Sequence, residues 1–352
     1  MPLKDISVVI PTRNCRDLIQ SSSALMREWV SEVGEIVVVD SQSSDGTVEL
    51  LQELLPFPHV KFLSHPPGLY ASWNFGIQNC SLPLTYIATA GDSISAADLD
   101  FLASTAASTE ADLVVCAPIF RHAPGTSATA PSWPIHHLME LLKEGDFIEL
   151  SGTDLTAFAL THCTPPLRYH AWTGSAASNI YRSATLKQHP FPEDAGHSGD
   201  TLWAVQQSRF VKAVFCRRSC GSFYVHTEPK VLDAYEQTRI FTKFHAACHE
   251  ALEWMLQQDD ALDGPLTRAY LRQSSQNQKM VMELITALTS QQGAIQTEMQ
   301  KKEQHKLRCA ELTQQLDDLR SEVKNGKAAL SRVEKKVPRW VLKLFGVNHH
   351  SS

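Results

Sequence analysis

The chain has 352 residues, enough for one larger domain plus an appended part, and a hydrophobic fraction of 43% that suits a globular core. Its formal net charge of -6 removes the electrostatic case for nucleic acid as the main partner. No apolar run approaches the roughly 20 residues that span a bilayer, so the sequence predicts that any membrane contact is peripheral. The eight cysteines are scattered, and the close pair Cys216 and Cys220 lacks both the spacing and the second pair of a zinc site. Read as reduced thiols, and with an opening Met1-Pro2-Leu3-Lys4-Asp5 that lacks a secretory apolar region, they predict a cytoplasmic protein.

In chain order, Ile6 to Ile10 is a continuous apolar run closed by Pro11, the pattern of a strand buried on both faces. A helical interval from Asp17 to Val30 leads to a second such run, Glu35 to Asp40, and the pair reads as a βαβ unit whose strand ends lie side by side. Asp45-Gly46-Thr47 opens a helix over 48–55, His59 to Leu63 reads as a third strand, Tyr70 to Cys80 has helical spacing, and Leu84 to Thr89 is a fourth strand. Ala96 to Ala106 predicts a helix and Leu113 to Pro118 another strand. Arg121 to Trp133, rich in Ala, Pro, Thr, Ser and Gly, predicts a long surface loop of the kind that often covers an active site. A helix follows near Ile135 to Lys143; after an ambiguous stretch to Arg168, the segments 172–182, 198–207 and 211–226 again have ordered patterns.

From Leu232 the pattern is helical almost throughout, which places the main boundary at about residue 228 and a helical extension over 229–300. Within 301–337, Cys309, Leu312, Leu316, Leu319, Val323, Leu330, Val333 and Val337 recur on alternating three- and four-residue steps, with Gly326 the poor occupant. That pattern predicts a coiled coil and self-association; a single amphipathic helix folded back on the body is the alternative. The tail 338–352 is basic and amphipathic, with Trp340 and Phe345, and fits either peripheral membrane contact or a cap on the coil.

The loops after the apolar runs form one split site, Pro11-Thr12-Arg13-Asn14, Val39 to Thr47, Gly68 to Gly76 and Ala90-Gly91-Asp92-Ser93, because an open α/β sheet gathers its ligand loops at its strand ends. A stiffened turn beside an aspartate at a neighbouring strand end supplies a flat slot and fixed polar partners for a nucleotide base, which points to Pro11, Thr12, Asn14 and Asp40. Asp45 equally serves as the cap of the next helix.

These motifs, Val8-Val9-Ile10-Pro11-Thr12-Arg13-Asn14, Val37 to Thr47 and Gly68-Leu69-Tyr70-Ala71-Ser72-Trp73-Asn74-Phe75-Gly76-Ile77, resemble those of the inverting nucleotide-sugar glycosyltransferases of family 2, with the GT-A fold. The resemblance implies an α/β domain over 1–228, Rossmann-like with a mostly parallel sheet, that moves a sugar from a nucleotide-diphosphate-sugar donor to a glycan or lipid-linked acceptor in polysaccharide or glycoconjugate biosynthesis. It places Asn74 with the nucleotide-binding residues. Asp92 is similar to the acid that holds Mn or Mg against the donor diphosphate, although the family commonly has an Asp-x-Asp pair there and this chain has one acid. Asp200, one turn before Trp203, resembles the general base, with Glu193 and Asp194 as runners-up. His226 matches the place of a further metal ligand in some members, and Trp172 serves either as an acceptor platform or as core. Nucleotidyl transfer, on a related fold, normally needs a glycine-rich basic loop after the first strand, which Pro11 to Asn14 is not. The alternative from another class is a catalytically degenerate transferase body acting as a scaffold through its coil.

Overall fold

The computed structural model of the chain describes residues 2–122, 133–141, 147–164, 168–169, 172–225, 234–258, 290, 293–295, 297–321, 323–325 and 327–328. After a short turn at Pro2–Asp5, the elements are β1 (Ile6–Thr12), α1 (Arg16–Trp29), β2 (Glu35–Asp40), α2 (Thr47–Leu54), β3 (Val60–Ser64), α3 (Leu69–Gln78), β4 (Leu84–Ile87), α4 (Ala96–Thr109) and β5 (Leu113–His122). They continue as α5 (Pro134–Leu141), β6 (Phe147–Ser151), α6 (Gly152–His162), the two-residue strands β7 (Cys163–Thr164) and β8 (Arg168–Tyr169), β9 (Asn179–Arg182), α7 (Ser183–Gln188), α8 (Gly199–Gln207), β10 (Lys212–Val225) and α9 (Ala234–Gln257).

The main sheet has the order β3-β2-β1-β4-β9-β5-β10-β6. Strands β1 to β5 and β10 run parallel, while β9 and β6 run antiparallel to their neighbours. The mixed sheet with helices on both faces is the expected α/β architecture. All seven residues of β1 and the first five of β2 are buried, which is why these strands read as continuous apolar runs rather than alternating ones. Their side chains split by the pleat: Ile6, Val8, Ile10, Ile36 and Val38 meet α1, α2 and α4 on one face, and Val9, Val37 and Val39 meet α3 on the other.

Glycine sets the spacing of one of those layers. A Cβ at Gly76 of α3 would lie 2.5 Å from Val9 Cγ1 and 3.0 Å from Val39 Cγ2, so the helix lies on β1 and β2 at a distance that no other residue permits there. Beneath the same layer, Glu35 is buried and accepts from Ser7 Oγ (2.5 Å), Ser81 N (2.7 Å) and Lys61 Nζ (2.5 Å). Burial pushes its carboxyl up, but these donors outweigh burial and hold it below the usual glutamate range.

Two sequence expectations change here. The fifth strand does not stop at Pro118; β5 continues through His122, pairing with β10 as far as Val225, so Arg121 and His122 lie on a strand rather than in a loop. The segment 172–182 yields the short antiparallel strand β9, inserted between β4 and β5. Residues 123–132 of the expected loop lie outside the described residues, as do His226, the tail 338–352 and most of the second half of the helical extension.

The chain divides into two compact units, Met1–Ala287 and Leu288–Ser352. In the first, α9 buries Ile240, Phe244, Ala247 and Cys248 with Leu202 and Val205 of α8, so the chain beyond residue 228 shares a core with the domain before it. In the second, residues 297–321 are helical, and Leu312, Leu316, Leu319 and Val323 are all about half exposed. A helical extension is therefore present, with its apolar row uncovered in the single chain. Among the described residues no helix is long and apolar enough to cross a membrane.

Candidate active site

The β1 and β2 loops are stitched together by side chains. Thr12 Oγ1 donates to Asp40 Oδ1 (3.3 Å), and Asp40 Oδ2 accepts from Ser43 N (3.1 Å). Asn14, at a φ of 48° that asparagine tolerates, accepts from Ser44 N at Oδ1 (2.8 Å), and its own N–H donates to Ser43 Oγ (2.9 Å). Pro11 is buried opposite Val39 in the β1–β2 register. Pro11, Thr12, Asn14 and Asp40 thus lie together at the ends of β1 and β2, where Asp40 is partly exposed and Asn14 exposed. Asp45 is used structurally: it accepts from Thr47 N (3.1 Å), Thr47 Oγ1 (2.6 Å) and Arg16 N (3.0 Å), tying the starts of α1 and α2, and these bonds hold its carboxyl below the usual range, the Thr47 hydroxyl foremost.

Asn74, which the resemblance places with the nucleotide-binding residues, has its side-chain amide engaged by the 191–193 turn. It is 8% exposed, donates from Nδ2 to Phe191 O (2.8 Å) and Glu193 Oε1 (3.0 Å), and accepts from Phe191 N at Oδ1 (2.9 Å). Its amide is committed to the 191–193 turn, the segment that leads into α8 and Asp200. Tyr70, one turn earlier on α3, donates to His197 O (3.1 Å), and a Cβ at Gly199 would lie 2.5 Å from the Tyr70 ring. Tyr70, Asn74 and Gly199 therefore press the start of α8 against the head of α3, at the carboxyl edge of the sheet.

Asp200 sits in the first turn of α8, partly exposed, and accepts from Thr201 N (2.7 Å). Burial raises its carboxyl above the usual aspartate range, with the Tyr70 hydroxyl and Thr201 pulling the other way. Of the runners-up, Glu193 bonds Asn74, and Asp194 is ion-paired to Lys243, which lowers its carboxyl. Trp172 is fully buried, with Nε1 donating to Ala204 O (2.7 Å) and its ring 5.7 Å from Phe215, so of its two readings the structure selects core.

Asp92 follows β4 in a turn that Gly91 makes at a φ of 90°. Its Oδ2 accepts from Thr89 Oγ1 and its Oδ1 from the backbone N–H of Tyr224 on β10 (2.8 Å). Burial raises its carboxyl to about 6, partly offset by those two donors. Ser93 and Ser222 lock the turn to β10 through N–H···O bonds of 3.1 and 2.6 Å and a hydroxyl pair at 2.6 Å. Each Asp92 oxygen keeps a lone pair for a cation, but no cluster of three His, Cys, Asp or Glu side chains that could hold a metal occurs among the described residues. The fit is therefore that of a cation held by one carboxylate and completed by substrate phosphates and water, a mode normal for magnesium. His226 lies outside the described residues.

Sequence reasoning did not find Arg121 on the extended β5, the Tyr224 backbone donor, or the organising roles of Asn74 and Tyr70. Ser198-Gly199-Asp200 and Gly68-Leu69-Tyr70 carry a signal for the last, since a glycine next to a site residue often marks close approach.

No curated protein sequence matches the chain. Among solved structures, TarS 1-349 of S. aureus in complex with UDP-GlcNAc has a TM-score of 0.50 at 16% identity over 72% of this chain and 70% of that one. The same protein in complex with UDP has a TM-score of 0.48 at 18% identity over 73% of this chain and 72% of that one. The mannosyltransferase PcManGT of Pyrobaculum calidifontis, in complex with GDP-Man and Mn2+, has a TM-score of 0.41 at 16% identity over 81% and 75%. At this level of identity the likeness bears on fold alone. Residues 7–165, which hold the β1 and β2 loops, α3 and the Asp92 turn, match the family model of glycosyl transferase family 2, and the chain's fold is similar to that of a solved GT-A transferase.

Proposed function

We propose that the chain moves a hexose from a nucleotide-diphosphate-sugar donor to a glycan or lipid-linked acceptor, with inversion, in polysaccharide or glycoconjugate biosynthesis. The observation that carries this reading is two partly exposed carboxylates with raised pKa values, Asp92 in the turn after β4 and Asp200 in the first turn of α8, together with Thr12, Asn14 and Asp40 at the ends of β1 and β2. In this reading Thr12, Asn14 and Asp40, with Pro11 beneath, hold the nucleoside, while Asn74 and Tyr70 position the Asp200 turn. Asp200 takes the acceptor proton as the acceptor oxygen attacks the anomeric carbon from the face opposite the leaving diphosphate; its raised pKa makes it a better base than an ordinary aspartate. Asp92 is the residue that would hold Mn or Mg, which when bound offsets the diphosphate charge. His226 is proposed as a further ligand, and the domain role extends over 1–228.

Support for catalysis over a degenerate scaffold comes from the same two acids, since a body kept for its coil alone gains nothing from carboxylates whose charged forms are disfavoured by burial. The decisive experiment measures sugar transfer or donor hydrolysis with a panel of nucleotide sugars and Mn, alongside thermal shifts with the same ligands. Donor-dependent stabilisation together with turnover supports the reading. Absence of both for every donor overturns it.

A further inference from the structure

The diphosphate of a sugar nucleotide is an anion that gains charge as the glycosidic bond breaks, and the turn proposed to meet it, Ala90-Gly91-Asp92-Ser93, carries one acid. A positive charge is tied to the same turn. Arg121 is on β5 directly opposite Tyr224 in the β5–β10 register, and the Tyr224 backbone N–H is the donor to Asp92 Oδ1 (2.8 Å). From there Arg121 Nη1 reaches the Oγ of Ser93, the residue after Asp92, at 3.1 Å. That hydroxyl is fixed by the Ser222 hydroxyl at 2.6 Å and by the backbone bridge between the two serines. The guanidinium is thus anchored by one N–H to the residue that follows Asp92, with its remaining donors uncommitted in every described contact.

Other arginines of the chain, with structural tasks, look different. Arg182 is ion-paired to Asp112 (3.9 Å), Arg209 to Glu250 (3.2 Å) and Arg218 to Asp98 (2.8 Å). Arg121 is exposed and forms no ion pair with a described carboxylate. An arginine fork held at one corner and open at the others matches a bidentate phosphate.

We propose that Arg121 binds the donor diphosphate and stabilises the departing nucleoside diphosphate, supplying part of the charge that a second acid and its tightly held cation supply elsewhere. The inference rests on the nucleotide-sugar reading of the site. In the transfer, the bond from the acceptor oxygen to the anomeric carbon forms while the bond from that carbon to the phosphate oxygen breaks. The acceptor proton passes to Asp200, and the electron pair stays on the phosphate oxygen, where the Arg121 N–H groups meet it.

The test is calorimetric titration of the full chain in EDTA with UDP and UMP, GDP and GMP, comparing wild type with Arg121→Ala, Arg121→Lys and Arg121→Gln. Arg121→Gln retains a donor for Ser93 Oγ, so it serves if the alanine variant fails to fold. The expected result is a loss of about tenfold in affinity for the diphosphate of the preferred base, no change for its monophosphate, and an intermediate loss in Arg121→Lys. Unchanged diphosphate affinity, or an equal loss for mono- and diphosphate, overturns the assignment to Arg121 while leaving the donor reading in place. Failure of the wild type to bind any of the four nucleotides under these conditions or with Mn added sinks the donor reading, and this inference with it.

Discussion

Asp200 is held by one helix turn and one aromatic hydroxyl, and its environment makes a kinetic prediction. Because its carboxyl titrates above the usual aspartate value of 3.8 through burial, the acidic limb of kcat/KM should have its midpoint above that value. Activity is expected to fall as pH drops through the raised pKa, since the protonated acid cannot accept the acceptor's proton. In Asp200→Asn the turnover should drop by about 10²- to 10⁴-fold with donor affinity unchanged, and that acidic limb should disappear. A variant that keeps the wild-type pH profile removes Asp200 from the chemistry. Asp92→Asn should instead weaken the response to Mn: the divalent-dependent part of donor binding, measured by titration with and without EDTA, is expected to vanish. The sequence carries both acids plainly, each beside a glycine, but not their protonation, because Tyr70 packs on the Asp200 turn and the β10 backbone on Asp92 from segments 127 and 132 residues away.

Among the elements, α3 does the most positioning. Its Gly76 admits β1 and β2, and its Asn74 and Tyr70 fix the turn before α8. Asn74→Ala leaves Phe191 N and O without their partners and should cost about 1–3 kcal/mol in chemical denaturation. It should also lower kcat more than it raises donor KM, since Thr12, Asn14 and Asp40, the residues proposed to hold the nucleoside, are untouched. Gly76→Ala forces a Cβ to 2.5 Å from Val9 and is expected to cost about 1–3 kcal/mol. Glu35 gives the fold its acid sensitivity. Its folded-state pKa is depressed below 4.5, so the stability it contributes is present above the ordinary value and lost as pH falls through the lower folded one. Thermal unfolding between about pH 5 and pH 3 should show a decline that is shallower in Glu35→Gln. The buried strands and amphipathic helices of this half were legible because apolar runs and helical spacing are local signals. The extension of β5 to His122 was not, because Ile119, Phe120, Arg121 and His122 carry the mixed exposure of a strand end whose ordering comes from pairing with β10.

For the molecule as a whole, the catalytic unit and the C-terminal helical unit carry different surfaces. The row Leu312, Leu316, Leu319 and Val323 has exposures of 49%, 50%, 59% and 57%, an apolar seam at coiled-coil spacing that a second copy would cover. Light scattering of the full chain is expected to give a mass above that of one protomer, reduced to 39.1 kDa in a variant with Leu312, Leu316 and Leu319 all changed to Ser. A monomeric wild type sinks this reading of the seam. The helical pattern beyond residue 228 corresponds to α9, which completes a core with α8 inside the first unit.

The sequence by itself carried the strand-end loops, the likeness to family 2 and the positions of the two acids proposed for the chemistry. Each rests on a short stretch in which residue type dictates backbone or chemistry: apolar runs that must be buried, glycines that must turn, carboxylates that can carry charge. The tertiary structure alone decided which of these stretches touch. It joined the Asp92 turn to β10 through Ser93 and Tyr224, seated Arg121 beside it, and turned Asn74 inward onto Phe191. Such contacts join residues 28 to 132 positions apart, and no local pattern encodes them, because the free energy that fixes them comes from burying one segment against another.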